Sequence, residues 1–271
     1  MPELPEVETT RRGIAPALAG RRVADVIVRD RRLRWPIAAH FEAAMRGRAV
    51  QRVERRAKYL LIGFDTGTLI VHLGMSGSLR IVDADSAPGI HDHWDLRLDS
   101  GKALRFHDPR RFGSAHWTEG NALEHKLLAG LAPEPLSGAF DADYLYRATR
   151  RRSVAIKLLI MNSRLVVGVG NIYASEALFR AKIAPRRAAR RITRAQAAAL
   201  TRAIKEVLAA AIDIGGTTLR DYVNADGIPG YFRQKLFVYE RKGLPCRVCA
   251  APVRQALQGQ RSTYWCPLCQ R

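Results

Sequence analysis

The sequence predicts an α+β chain in three parts: an antiparallel β-domain, a helical segment and a small cysteine ribbon. Three observations predict it. Short apolar or alternating runs recur about every ten residues through the first 130 residues, the mark of an antiparallel sandwich or barrel. Turn signals such as Asp65-Thr66-Gly67 and Asp99-Ser100-Gly101 separate them. From Asp141 to Ile214 the apolar spacing becomes helical. All four cysteines fall in the last 26 residues, as Cys246-x-x-Cys249 and Cys266-x-x-Cys269.

Taken in order, Glu6–Leu18 suits a short amphipathic helix. Strands are expected at Arg22–Asp30, Ala49–Arg55, Tyr59–Phe64, Thr68–Leu73, Ser78–Val82, Trp94–Leu98 and Ala103–Phe106, with a short helix at Phe41–Met45. The texture changes at Leu123–Leu131. Pro133-Glu134-Pro135-Leu136 reads as a connector, because each proline disfavours helix in the residue before it. Ala195–Ile212 is the clearest helix: Leu200, Ile204, Val207, Leu208 and Ala211 share one face. Thr193 offers an N-cap and Gly215-Gly216 a stop. Tyr222–Phe232, rich in Gly, Asn and Asp, is expected to be a loop. The resulting division is 1–131, 132–222, a linker at 223–236, and 237–271.

Charge is the global clue. The 271 residues carry 45 Lys and Arg against 25 Asp and Glu, a formal net charge of +20. Such an excess attracts polyanions, nucleic acid above all, although ribosomal and membrane-surface proteins share it. Arginine, the commoner cation, can fork onto a phosphate with two hydrogen bonds. No run of about 18 apolar residues exists, so no transmembrane helix is expected. Charges at Glu3, Glu6, Glu8, Arg11 and Arg12 exclude a signal peptide. A reducing cytoplasmic location follows, and the lack of any apolar heptad leads us to expect a monomer.

In that compartment disulfides are disfavoured. Two Cys-x-x-Cys pairs with 16 residues between them supply four thiolates for one tetrahedral zinc ion. With four protein ligands the ion keeps no open position, so it is structural. So small a module has little core of its own, and the metal is its folding energy. The ribbon tip carries Gln260-Arg261-Ser262-Thr263, and an arginine on a metal-pinned turn can reach a phosphate.

The N-terminus offers chemistry. The small second residue favours removal of Met1, which leaves Pro2 with a secondary α-amine. An α-amine has a pKa of roughly 7.7–8.0, so part of it is neutral near physiological pH and can attack a carbonyl carbon to form a Schiff base. Glu3 beside it could move the protons that this attack requires.

Met1–Glu8 (MPELPEVE), Leu165–Glu176 (LVVGVGNIYASE) and the terminal ribbon together resemble the formamidopyrimidine-DNA glycosylase family. So do Arg56–Leu61, His72–Gly77, His91-Asp92-His93, Asp108–Gly113 and Gly215–Tyr222, in the family's order and spacing. The resemblance covers nearly the whole chain. It implies a β-sandwich catalytic domain, a helix–two-turns–helix DNA-binding domain and a zinc-finger ribbon, with duplex DNA bound between the halves. It further implies base-excision repair: removal of oxidised purines such as 8-oxoguanine and formamidopyrimidines, followed by cleavage at the abasic site. No obligate protein partner is expected.

Family roles carry over residue by residue. Pro2 would attack C1′ of the damaged nucleotide, with Glu3 as proton donor or acceptor. Lys58 resembles the proton donor of β-elimination, and Arg261 the residue tied to δ-elimination and to clamping the phosphates. His91, Arg110 and Arg152 match DNA-contact positions, with His72, Lys157 and Asn171 as further phosphate partners. Met75 and Phe112 would wedge into the gap left by the flipped base, and Arg110 would bond its orphaned partner. From the residues alone, Met75 and Phe112 read as core. Thr217–Val223 matches the base-binding loop. Two departures stand out: the run Arg150-Arg151-Arg152, often lysine-containing, and Trp265, where another aromatic is common.

Two rivals remain at this stage. An endonuclease VIII-like glycosylase for oxidised pyrimidines shares the terminal amine, but its N-terminus typically departs from Leu4-Pro5-Glu6-Val7-Glu8. A non-catalytic zinc-ribbon DNA-binding protein accounts for charge and cysteines, but not for Pro2-Glu3 and Lys58.

Overall fold

The computed structural model describes residues 2–216 and 236–271, which fall into two compact units. The first holds residues 2–129 and 214–216; the second holds 130–213 and 236–271. The expected loop at Tyr222–Phe232 and the base-binding motif at Thr217–Val223 lie outside the described residues.

The chain enters through α1 (Leu4–Leu18), two residues before the expected start. Glu3 caps it: its N–H donates to the Glu6 carboxylate at 2.8 Å. Pro5 lies in the first turn, where a missing N–H disrupts no helical bond. Strands β1 (Val23–Val28), β2 (Arg52–Arg56), β3 (Tyr59–Gly63), β4 (Thr68–His72), β5 (Ser78–Asp83), β6 (Asp92–Leu98), β7 (Lys102–His107) and β8 (Ser114–Thr118) follow. The short α2 (Phe41–Met45) sits between β1 and β2.

The strands form two antiparallel four-stranded sheets, ordered β1-β6-β7-β5 and β2-β3-β4-β8. Between the alternatives of sandwich and barrel, the sandwich is what forms. Alternate residues of both sheets meet in one core: Val26, Leu79, Trp94, Leu96 and Phe106 from the first, with Leu60, Ile62, Leu69, Val71 and Ala115 from the second. Trp94 and Phe106 stack at 5.3 Å. Val7, Ile14 and Leu18 seat α1 on the same core, which fixes the position of its N-terminus.

β8 was not among the expected strands. Its sequence, Ser-Ala-His-Trp-Thr, has little apolar alternation, and pairing of Ala115 with Val71 and Trp117 with Leu69 supplies what propensity does not.

In the second unit the helical stretch is broken into α3 (Ala142–Thr149), α4 (Ile156–Ile160), α5 (Asn171–Arg180) and α6 (Arg194–Asp213). Thr193 and Gln196 cap α6 reciprocally, with both side-chain-to-amide bonds at 3.1 Å. The five predicted apolar residues of α6 are all buried. The helix ends at Gly215 and Gly216, both at φ +82°, a conformation that glycine adopts without strain. Strands β9 (Arg254–Gln258) and β10 (Arg261–Trp265) make the ribbon, and β10 packs against α5. No described helix is long and apolar enough to cross a membrane.

Candidate active site and metal centre

Pro2 and Glu3 are both buried at the head of α1. Glu6, fully buried, has a carboxylate oxygen that a Cβ on Gly216 would approach to 3.2 Å, so glycine there leaves the space free. Lys58 stands on the two-residue turn between β2 and β3, where Ala57 takes φ +55°. Its positive charge acts on His72. Burial, and then Lys58, Arg34 and His116, lower the His72 pKa to about 4. His72 is therefore a neutral imidazole at neutral pH. Its Nδ1 accepts the Gly74 N–H at 3.1 Å, so Nε2 carries the proton and can donate one hydrogen bond.

Met75, Arg110 and Phe112 lie on two turns held by one buried carboxylate. Asp108 accepts from Ser76 Oγ at 2.8 Å, from the Gly113 N–H at 2.7 Å and from the Arg110 N–H at 3.3 Å. Its own carbonyl meets His93 Nε2 at 2.7 Å. The turns touch so closely that a Cβ on Gly74 would lie 2.4 Å from the Gly113 nitrogen. The core reading of the two apolar residues does not hold: Phe112 is 43% exposed and Met75 half-buried. The Arg110 guanidinium lies 4.9 Å from the Phe112 ring centre, and Arg111, at φ +58°, pairs instead with Asp30.

Only one member of His91-Asp92-His93 faces outward. His93 is buried, and Asp92 bonds His107 Nδ1 at 2.8 Å, whereas His91 is half-exposed, its ring 5.9 Å from that of His107 in a T-shaped pair. In the arginine run, Arg150 is held at home. It bonds Thr149 Oγ1 at 2.8 Å and the Ile192 carbonyl at 2.5 Å, and lies over the Tyr146 ring. Arg151 and Arg152 are exposed.

Lys157, expected as a further phosphate partner, has its ammonium turned onto protein acceptors. It is fully buried, and its ammonium donates to Asn171 Oδ1 at 2.5 Å, the Ser262 carbonyl at 3.2 Å and Thr263 Oγ1 at 2.7 Å. Asn171 Nδ2 adds a bond to the same Ser262 carbonyl at 2.9 Å. This buried cation pins the residues that follow Arg261. Arg261 itself is exposed after a turn in which Gly259 and Gln260 both have positive φ, the tight hairpin form.

The four cysteine sulfurs lie within 4.8 Å of one another. Tetrahedral zinc–thiolate bonds of about 2.3 Å imply sulfur separations of about 3.8 Å. Cys246 and Cys269 are 3.9 Å apart and Cys249 and Cys266 3.4 Å, far longer than a disulfide. The amides of Val248 and Cys269 point at the sulfurs of Cys246 and Cys266, both at 3.5 Å, as in zinc knuckles. The donor set fits the ion.

The sequence of residues 1–115 matches the family model described as the formamidopyrimidine-DNA glycosylase N-terminal domain. Residues 131–223 match that enzyme's H2TH domain, and 243–271 a zinc finger found in FPG and IleRS. A formamidopyrimidine-DNA glycosylase of Thioalkalivibrio sulfidiphilus is 62% identical over the full length of both chains. The chain belongs to the formamidopyrimidine-DNA glycosylase family.

Solved glycosylases of the family agree. The MutM (Fpg) protein of Thermus thermophilus aligns with a TM-score of 0.89 at 42% identity, over 99% of this chain and 98% of that one. The Lactococcus lactis Fpg, in complex with DNA containing an abasic site, aligns with a TM-score of 0.92 at 30% identity over 99% of both chains. Like the family's zinc finger, the ribbon holds one structural zinc through Cys246, Cys249, Cys266 and Cys269.

Residues that hold the candidate site and the ribbon in place carried no marked role in the sequence. Asp108 stood in the Asp108–Gly113 motif without a role of its own. Glu176 lay inside a recognised motif with no role, yet its buried carboxylate accepts the amides of Phe237, Val238 and Tyr239 at 2.8–2.9 Å. Burial pushes its pKa up, against those three amides and Arg180. Gln270 ties the ribbon to the Ile183 carbonyl at 2.9 Å. For Glu176 a carboxylate among apolar neighbours was the available signal.

Proposed function

We propose that this chain is a base-excision repair enzyme that removes oxidised purines from duplex DNA and then cleaves the strand as an abasic-site lyase. The observation that carries this reading is Pro2-Glu3, buried at the head of a helix seated on the sandwich core. The four-part division stands with it: 1–131 catalytic, 132–222 DNA-binding, 223–236 base-binding segment and 237–271 zinc finger. A cytoplasmic, nucleoid-associated location accords with it.

A damaged base must leave the stack before its glycosidic bond can be reached. Met75 and Phe112 enter the gap and Arg110 bonds the orphaned base, offsetting part of the unstacking cost. His91, Arg152 and Asn171 contact the strand, and His72 donates through its neutral Nε2–H. For Lys157 we assign a positioning role, through Ser262 and Thr263, on the turn of Arg261.

The neutral Pro2 amine attacks C1′, the C1′–N bond breaks, and the base leaves with a proton relayed through Glu3. Ring opening gives an iminium ion that acidifies the C2′ proton. Loss of that proton expels the 3′-phosphate, with Lys58 as proton donor, and a second elimination expels the 5′-phosphate beside Arg261. Zinc takes no part in these steps.

Borohydride reduction of the iminium is the test. Wild-type protein should be trapped covalently on a duplex bearing 8-oxoguanine, and Pro2→Gly should lose most of the adduct. Absence of a wild-type adduct would reject the enzyme reading. A preference for thymine glycol over 8-oxoguanine would move the assignment to oxidised pyrimidines.

A further inference from the structure

The segment Pro185–Ile192 carries Arg186, Arg187, Arg190 and Arg191 with no acidic residue among them. With Ser153 these arginines line a cavity of about 500 Å³. The backbone beneath is fixed to the preceding loop. Arg190 N–H donates to the Arg152 carbonyl at 2.8 Å, Ala189 N–H to Val154 at 2.9 Å and Ile156 N–H to Arg187 at 2.8 Å. Arg187 also reaches Gln196 Oε1 at 3.3 Å. Arg152 lines a neighbouring cavity of about 310 Å³ together with Arg147 and Arg164, so the basic surface continues beyond the first cavity.

Most of the first unit's arginines stand beside carboxylates, such as Arg11 with Glu8, Arg29 and Arg105 with Asp95, and Arg55 with Glu8. Among the described residues, none of Arg152, Arg186, Arg187, Arg190 or Arg191 forms an ion pair with a carboxylate. Unpaired guanidinium groups fixed along one surface create a local positive potential that the paired ones do not.

We infer that this arginine surface is an additional seat for the phosphate backbone of duplex DNA, extending the footprint outward from Arg152. The inference rests on the DNA-binding reading above. Four arginines and Ser153 line the cavity with Ala184 and Ala188, and no large apolar side chain joins them, which suits successive phosphates instead of a single enclosed metabolite. Phosphate contacts carry no base information, so the surface strengthens binding to any sequence, damaged or not.

Salt titrations of binding test this with undamaged duplexes of about 12 and about 40 base pairs. Each phosphate contact contributes about 0.9 to the slope of log affinity against log salt concentration. The combined variant Arg186→Gln, Arg187→Gln, Arg190→Gln, Arg191→Gln should lower the slope on the long duplex by about 2–3. It should excise 8-oxoguanine from a short duplex within about twofold of wild type. The four Arg→Lys changes should keep the slope, and a triple Gln variant that retains Arg187 guards against a folding defect.

Equal slopes for wild type and the Gln variants on the long duplex would overturn the inference. So would saturable tripolyphosphate binding that the Gln variants lose while their DNA slope stays intact, which would mark a small-anion site. A wild-type protein that binds neither duplex would overturn the functional reading and this inference together.

Discussion

His72 shows how much one side chain depends on its surroundings. Its pKa is about 4 in the folded protein, whereas an unfolded chain restores the ordinary 6.5. The folded value is depressed, so the stabilisation is fully present above pH 6.5. It is lost as pH falls from 6.5 to 4, because the unfolded chain takes up a proton that the native site refuses. The gap corresponds to about 3 kcal/mol. Urea midpoints should therefore fall across that window, and His72→Gln should flatten the profile; an unchanged profile would contradict the burial argument. His116, also near 4 through burial, then His125 and Lys126, shares the window. What the sequence disclosed at this scale depended on chemistry intrinsic to the residue. The secondary amine of Pro2 and four thiolates at fixed spacing are legible wherever they lie. Lysines are not. Lys58 and Lys157 look alike in a sequence, yet one stands half-exposed on a hairpin turn and the other is buried among three acceptors.

At the scale of elements, the positioning bonds run from side chain to backbone, and periodicity cannot reveal them. Asp108→Ala would leave the Ser76 hydroxyl and the Gly113 amide without their partner, each at a cost of about 1–3 kcal/mol. We predict a clear drop in melting temperature and a larger loss of lesion excision than of DNA affinity, read by calorimetry and single-turnover kinetics. Glu176→Ala removes the acceptor of three amides and frees residues 237–239 from α5. Faster zinc release to a chromophoric chelator should follow, and an unchanged release rate would show that the ribbon does not depend on this carboxylate. The strands and α6 were visible because alternation and helical spacing reflect burial on one face. β8 was not visible, because its partner strand supplies the order; within the helical stretch Arg151, φ +58°, gave no sign of a break, whereas Gly168, φ +78°, is a residue type that permits a tight turn.

For the whole molecule, the zinc and the sandwich should fail separately. The ribbon's own core is small, Val238, Val253, Cys246 and Cys266 packed with Phe179, whereas the sandwich core spans two sheets and two helices. Chelation should thus expose Trp265, buried in the ribbon, and red-shift its fluorescence, while the sandwich keeps its thermal transition. Loss of both transitions together would show the two units to be one cooperative fold. Under the proposed function, the single carboxylate behind the turns of Met75, Arg110 and Phe112 has a further consequence for movement along DNA. Side chains carried on two turns that share one anchor would advance as a stiff blade, without a loop rearrangement at each step. The dwell time at a base pair then depends on how firmly that pair resists being parted, and a weakened stack is felt before any base is read.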